Sequence, residues 1–168
     1  MKVLQRTIAW EGKYIRVSLL TYQDAKGKLR LWESVERTNC NGIVVVIPLT
    51  IKNELIFIRQ FRPVLDRYVI EFPAGLNDRH EIVNQAAVRE LIEETGYTSE
   101  HLEIIAEGPI SSGLSTEITT VFFARNAHPA SDDLRALFKP DESEDISVFL
   151  VPLEQAYKKL REFNAAGD

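Results

Sequence analysis

Hydrophobic and polar residues along the chain predict a series of short strands. Two β-prone segments, 13–22 and 29–36, flank a turn that contains Asp24 and Gly27, and this pattern is typical of an antiparallel hairpin. The continuous apolar run at 43–49 predicts a central strand that is covered on both faces. Further strands are predicted over 54–60, 68–72, 102–107, 118–124 and 146–151, and a closing helix over 154–163.

Between residues 81 and 95 the periodicity becomes helical. Val83, Ala87 and Leu91 recur four residues apart, so their side chains share one face of the predicted helix. Gly96 follows as a natural C-terminal cap, because glycine readily adopts left-handed backbone. Since strands and helices do not alternate regularly, the pattern predicts a mixed sheet with helices rather than regular βαβ winding.

Composition and charge narrow the class of protein. The 168 residues are 45% hydrophobic and 27% charged, which is typical of a chain that builds its own core. The net charge of −5 argues against long nucleic acid as a partner, and no apolar run approaches the roughly 20 residues that span a bilayer. A single cysteine, Cys40, and an N-terminus without a charged-then-apolar leader predict a reducing compartment, the cytoplasm.

An acidic cluster lies near the end of the predicted helix. Around the helix axis, Glu94 is roughly 40° from Glu90, and Glu93 is roughly 60° to the other side, so the three carboxylates share one flank. Their mutual repulsion, and their position near the C-terminal end of the helix, both disfavour the helix. Such a run is often a solvated surface, but a hard divalent cation that prefers oxygen ligands would also compensate it.

The spacing around this cluster favours the metal site. Gly75 precedes Glu81 by six positions, and seven residues then separate Glu81 from Arg89-Glu90-Leu91. Glu93-Glu94 and Gly96-Tyr97 complete the pattern, which extends over 23 consecutive residues. At every specified position the chain resembles the signature of the Nudix hydrolases.

This resemblance implies the fold of the chain and its division into two parts. We expect an α/β protein, a Nudix α/β/α sandwich with a mixed β-sheet, together with an N-terminal antiparallel β subdomain. Residues 1–40 would form the N-terminal subdomain, used for dimerisation and base binding, and residues 41–168 the Nudix hydrolase domain. A homodimer is therefore expected.

The resemblance also implies roles for the acidic helix. Glu90 and Glu94 are implied to be ligands of Mg²⁺ or Mn²⁺, and the carbonyl of Ala74 completes the site. Glu93 would be a further ligand or would activate the attacking water. Arg89 is implied to orient the acidic side chains, and it lies at ion-pair spacing four residues before Glu93.

Outside the signature, the chain most resembles the ADP-ribose pyrophosphatases and related nucleoside diphosphate sugar hydrolases. The segments 59–63 and 71–76 carry this resemblance, among others. It implies metal-dependent hydrolysis of the pyrophosphate bond, with ADP-ribose converted to AMP and ribose 5-phosphate. Two alternatives stay open: another substrate, such as GDP-mannose or ADP-glucose, and a non-catalytic sensor of ADP-ribose or a related nucleotide. The acidic balance disfavours RNA decapping.

Several side chains outside the acidic helix are candidates for contact with substrate. Tyr14 and Trp32, on neighbouring hairpin strands, are expected to sandwich an adenine, although aromatic residues of a core or dimer contact would show the same pattern. Arg37 and Arg62 match positions that face substrate, and a guanidinium suits diphosphate oxygens; surface ion pairs are the alternative. The resemblance adds Leu76, Gly113 and Glu117 to the residues expected at the substrate.

The candidate general base is Glu144. It lies in an acidic loop just before the strand predicted at 146–151, and an acidic residue there is implied to approach the attacking water. Glu142 and Glu93 are rival bases, and a solvated acidic loop remains an alternative.

Overall fold

The computed structural model describes residues 1–79, 81–140 and 144–167, and in these ranges the chain forms two β-sheets with three α-helices. A short 3-10 helix, Leu153–Gln155, precedes the last helix. Along the chain the elements are β1 (Lys2–Glu11), β2 (Ile15–Gln23), β3 (Leu29–Arg37), β4 (Ile43–Thr50), β5 (Glu54–Arg62), β6 (Arg67–Glu71), β7 (Ala74–Leu76), α1 (Val83–Thr95), β8 (Tyr97–Thr98), β9 (His101–Pro109), β10 (Ile118–Pro129), α2 (Asp132–Leu137), β11 (Ile146–Pro152) and α3 (Ala156–Ala166).

The smaller sheet is antiparallel and contains β1, β2 and β3 in that order. Its register places Ile15 opposite Arg37 at one end. At the other end, the turn is closed by Asp24, whose carboxylate accepts a hydrogen bond from the amide of Lys28 at 2.9 Å, and by Gly27 at a φ of 78°. The predicted hairpin is therefore confirmed, and β1 adds a third strand beside it.

The larger sheet is mixed. Its strands follow the order β11-β5-β4-β10-β8, with β6 beside β5, β7 beside β4 and β9 beside β10. The strands β4 and β10 are parallel, with Ile43 opposite Thr119, whereas the other pairs are antiparallel. The predicted apolar run at 43–49 therefore lies in the interior of the sheet.

Helices cover both faces of this larger sheet. On one face α1 packs against β4 and β10, and Val44 and Leu91 are completely buried there. On the opposite face, Phe149 of β11 contacts Phe163 of α3 edge to face, with ring centroids 5.3 Å apart. The expected α/β/α sandwich with a mixed sheet is thus confirmed. The remaining buried residues of the two cores are Val46, Ala86, Ala87, Phe122 and Ala124 under α1, and Leu55, Phe57 and Val151 on the other face.

The helix α1 has the C-terminus that the sequence predicts. It ends at Thr95, and Gly96 adopts a φ of 72° while its N–H donates to the carbonyl of Ile92 at 2.9 Å. It begins two residues later than predicted, at Val83. In the described part of the chain, no helix is both long and apolar enough to cross a membrane.

A loop before β10 joins the two sheets. The amide of Val35 donates to the carbonyl of Leu114 at 2.8 Å, and the amide of Thr116 donates to the carbonyl of Val35 at 3.2 Å. The indole N–H of Trp32 donates to the carbonyl of Gly113 at 2.9 Å. These bonds cover the open edge of β3 and hold the smaller sheet beside one end of β10.

Candidate active site

The guanidinium of Arg89 is the centre of a buried carboxylate network. Its Nη1 donates to Glu90 Oε1 at 2.6 Å and to Glu93 Oε2 at 2.8 Å. Its Nη2 donates to Glu81 Oε1 at 2.6 Å and to the carbonyl of Leu76 at 3.0 Å. With only 4% of its side chain exposed, Arg89 holds three acidic side chains in fixed positions.

Glu94 ties α1 to the short strand β7. Its Oε2 accepts a hydrogen bond from the amide of Ala74 at 2.8 Å, and its side chain is buried. Ala74 in turn pairs with Val45 of β4, in the centre of the large sheet. The backbone around Ala74 and the carboxylate of Glu94 are therefore held side by side.

Gly75 leaves space for the carboxylate of Glu90. A Cβ atom at position 75 would lie 2.0 Å from Cδ and 2.1 Å from Oε1 of Glu90, well inside van der Waals contact. The first glycine of the signature thus allows the close approach of β7 to a buried carboxylate.

Burial raises the pKa of two carboxyl groups of α1, those of Glu90 and Glu94. Burial raises the pKa of Glu90 to about 7, although the neighbouring Arg89 opposes this shift. Burial also raises the pKa of Glu94 to about 8, against the opposing hydrogen bond from Ala74. The negative charge of Glu144 adds to both shifts. A cation bound here would favour the ionised form of both groups.

These residues fit a hard divalent cation. The buried carboxylates of Glu90 and Glu94 offer only oxygen donors, as Mg²⁺ and Mn²⁺ prefer, and Gly75 keeps the space beside Glu90 free of side chain. Within residues 1–79, 81–140 and 144–167, no three His, Cys, Asp or Glu side chains form a metal-holding group by themselves. Mg²⁺ sites commonly combine one or two carboxylates with water and substrate phosphate oxygens.

A cavity of about 460 Å³ opens in front of the network. It brings together residues from β3, β4, β5, β7, α1 and the segment just before β11, which are far apart in the sequence. The predicted site residues that line it are Arg37, Arg62, Ala74, Leu76, Arg89, Glu90, Glu93 and Glu144.

Arg37 and Arg62 line this cavity and also form ion pairs. Arg62 donates through Nε to both carboxylate oxygens of Glu71 at 3.1 Å, and Arg37 donates to Glu117 Oε1 at 2.5 Å. Both arginines therefore form an ion pair and line the cavity at the same time, and their contact with substrate stays a prediction. Glu117 reaches the site through its contact with Arg37.

Tyr14 and Trp32 lie at separate positions along the hairpin, and their sandwich of an adenine stays a prediction. Trp32 pairs with Leu20 in the middle of the hairpin, whereas Tyr14 lies beyond its far end, where its carbonyl accepts from the amide of Thr38. Thr38 lies six positions after Trp32, which corresponds to about 20 Å along an extended chain. The backbones that carry the two rings are therefore well separated along one hairpin.

Sequence reasoning missed two charged residues of the cavity, Asp78 and Arg79. Arg79 lines it and donates from Nη1 to Glu93 Oε1 at 3.0 Å. Arg79 lies in the five unspecified positions of the signature, so the motif carried no signal for it; its only sequence signal was a cation close to an acidic cluster. The rival base Glu142 lies outside the described residues.

Comparisons with known proteins agree with this fold and with this arrangement of residues. The NUDIX domain profile matches residues 41–167, about three quarters of the sequence. The chain therefore belongs to the NUDIX domain family.

Individual relatives cover most of the chain. It is 34% identical over 158 residues to the ADP-sugar pyrophosphatase of Mus musculus. This match covers 89% of this chain and 72% of the mouse protein. It is 36% identical over 163 residues to the ADP-ribose pyrophosphatase of Bacillus subtilis (strain 168), which spans 94% of this chain and 84% of the bacterial one. The crystal structure of an ADP compounds hydrolase superposes with a TM-score of 0.79 at 23% identity, over 95% of this chain and 82% of that one, and shows the same fold.

Proposed function

We propose that this protein hydrolyses the pyrophosphate bond of nucleoside diphosphate sugars in a reaction that depends on Mg²⁺ or Mn²⁺, with ADP-ribose as the preferred substrate. One observation carries the proposal: a single cavity joins buried carboxylates on α1 to the guanidiniums of Arg37 and Arg62. The names of the relatives from mouse and Bacillus subtilis support the same class of substrate.

The acidic side of the cavity is assigned to the metal. Glu90 and Glu94, with the carbonyl of Ala74 and with Glu93 as a further ligand, would hold the divalent cation. Arg89 keeps Glu90 and Glu93 in place, and the amide of Ala74 keeps Glu94 in place. When bound, such a cation neutralises diphosphate charge and polarises a water molecule for attack. The raised pKa values of Glu90 and Glu94 support this assignment, because a bound cation would stabilise the ionised form that burial disfavours.

Other residues that line the cavity are assigned to binding of the substrate and to acceptance of a proton from the attacking water. Arg37 and Arg62 would bind diphosphate oxygens, since a guanidinium fits two oxygens of one phosphate. Glu144 lines the same cavity and would accept the proton of the attacking water, as a carboxylate general base does. Cleavage of one P–O bond by water then yields AMP and ribose 5-phosphate from ADP-ribose.

A homodimer is proposed for binding of the base. The strand β1 is exposed along its whole length, and Trp10 is 55% exposed. Tyr14 and Trp32 are also exposed, and their backbone positions are well separated along one hairpin. We assign the N-terminal subdomain, residues 1–40, to contact with a second copy, which would bring Trp32 of one chain near Tyr14 of the other. The lone Cys40 supports action in the cytoplasm, a reducing compartment.

A substrate panel tests the proposed function. ADP-ribose, ADP-glucose and GDP-mannose are incubated with the protein and either Mg²⁺ or Mn²⁺, and the products are identified by chromatography. We expect AMP from ADP-ribose with the highest kcat/KM, and no turnover in EDTA. Glu94→Gln should lose turnover even at saturating Mg²⁺. Tight binding of ADP-ribose without release of AMP would instead make the protein a sensor.

A further inference from the structure

Among the arginine side chains that line the cavity, Arg79 is held most loosely. Arg89 is 4% exposed and bound on several sides, Arg62 is bound to both oxygens of Glu71, and Arg37 is 40% exposed and paired with Glu117. Arg79 is 58% exposed, and the contact that the structure gives it is one hydrogen bond from Nη1 to Glu93 Oε1. Its guanidinium is thus at the rim of the cavity with most of its surface toward solvent.

Glu93 lies between two guanidiniums. Its Oε2 accepts from Arg89 at 2.8 Å, and its Oε1 accepts from Arg79 at 3.0 Å. A divalent cation that approaches Glu93 must therefore share an oxygen with an arginine or replace one. Arg89 is buried and fixed, whereas an ion pair as exposed as that of Arg79 contributes little to stability. Arg79 is the partner that can leave.

A phosphate group offers Arg79 a better partner than Glu93 does. The guanidinium presents parallel N–H donors that match two oxygens of one phosphate, and in the structure Arg79 uses one nitrogen toward Glu93. The cavity that Arg79 borders is the space assigned to the diphosphate. The diphosphate of the substrate and the carboxylate of Glu93 therefore compete for the guanidinium of Arg79.

We propose that Arg79 exchanges partners when substrate binds. In the free protein it pairs with Glu93, and in the complex it binds a phosphate of the diphosphate and leaves Glu93 Oε1 open to the divalent cation. Arg79 is thus a substrate-binding residue that also makes the metal site depend on the presence of diphosphate. This inference rests on the proposed function.

The exchange of partners predicts a change in two binding affinities that loss of a merely structural contact would not produce. Removing the guanidinium of Arg79 takes away a competitor of the metal, so the free protein should bind the metal more tightly. It also takes away a phosphate contact, so the diphosphate should bind less tightly. The two affinities move in opposite directions, whereas general damage to the site weakens both.

The test compares Arg79→Gln and Arg79→Lys with Arg125→Gln as a matched control. Arg125 is similarly exposed at 62%, has one ion pair to Glu103 at 3.4 Å, and does not line the cavity. Calorimetry measures Mn²⁺ binding to the ligand-free protein and, without metal, binding of a methylene-bridged analogue of ADP-ribose. For Arg79→Gln we expect the Kd of Mn²⁺ to fall about threefold and that of the analogue to rise about tenfold. Arg79→Lys should lie between, and Arg125→Gln within about twofold of the wild type.

The outcomes separate this inference from the function on which it rests. If both affinities of Arg79→Gln move in the same direction, or both stay within about twofold of the wild type, the exchange is wrong. A wild-type protein that binds Mn²⁺ and hydrolyses ADP-ribose would then keep the proposed function. A wild-type protein that does neither refutes the proposed function itself.

Discussion

Gly75 and Glu90 are packed so closely that position 75 cannot carry a side chain without moving the carboxylate. A Cβ there would lie between 2.0 and 2.3 Å from the three atoms of the Glu90 carboxyl group. Glu90 is buried and receives a hydrogen bond from Arg89, so moving its carboxylate disturbs the geometry that Arg89 fixes. The contact links a backbone position on β7 to the proposed metal ligand on α1.

Gly75→Ala should therefore damage the site more than the fold. The added methyl group pushes the Glu90 side chain out of position, and a displacement of about 1 Å in a catalytic arrangement can lower the rate about 100-fold. We expect such a loss in kcat/KM for ADP-ribose, with weaker Mg²⁺ binding and a melting temperature close to that of the wild type. Gly108→Ala is the control, because a Cβ at Gly108 meets no atom within 4 Å. Unchanged activity in Gly75→Ala would show that Glu90 relocates without consequence.

Arg89→Gln should destabilise the protein strongly. The substitution leaves the carboxylates of Glu81, Glu90 and Glu93 without their shared cation, and breaking a buried ion pair in this way costs about 3–5 kcal/mol. Urea unfolding measures the loss, with Arg125→Gln as an exposed control. Added Mg²⁺ should restore part of the stability, since it supplies positive charge at the same carboxylates. A loss below about 1 kcal/mol would mean that the carboxylates rearrange to reach solvent.

The metal-free protein should lose stability as the pH rises toward 8. Glu90 and Glu94 have pKa values raised to about 7 and about 8 in the folded chain, against an ordinary value of 4.5. Above the ordinary value the folded chain holds protons that the unfolded chain has released, so this contribution to stability is present at low pH and lost through the range of the folded values. Mg²⁺ must displace the same protons, so its affinity should rise with pH.

Thermal unfolding at about pH 6 and about pH 8, each in EDTA and in Mg²⁺, checks this dependence. The increase in melting temperature on addition of Mg²⁺ should be larger at the higher pH. In Glu94→Gln the dependence of this increase on pH should be smaller, because one of the two titrating groups is gone. An equal or smaller increase at the higher pH contradicts the assignment of these groups as ligands.

Glu144→Gln should lower kcat with little change in KM or metal affinity. Loss of a general base typically lowers the rate about 100- to 10,000-fold, whereas loss of a metal ligand also weakens metal binding. Glu93→Gln and Glu142→Gln, prepared in parallel, test the two rivals. If Glu144→Gln keeps most of its kcat while one of the others loses turnover with unchanged metal affinity, that residue is the base.

The spacing of the signature was sufficient to predict the acidic helix because the relevant interactions are local. Residues three and four apart on a helix share a flank, so Glu90, Glu93 and Glu94 could be placed together without knowledge of the fold. Gly96 likewise ends the helix through its own backbone conformation.

The elements that sequence patterns missed are those whose periodicity is broken or too short. The register of β1 shifts between Val3 and Gln5 and again between Ile8 and Trp10, which interrupts the alternation that marks a strand. The strand β7 has three residues and is held by pairing with β4. The helix α2 has six residues and a Ser131 cap, too few for an amphipathic repeat.

The sequence by itself determined the family, the acidic helix and the class of ion that the helix suits, because each follows from spacing within one segment. Only the tertiary structure decided which residues meet across segments. It placed Gly75 against Glu90, paired Arg79 with Glu93, and set Trp32 in the middle of the hairpin with Tyr14 beyond its far end. These contacts depend on strand register and on the packing of β7 against α1, which arise from long-range pairing and are not encoded in any local period.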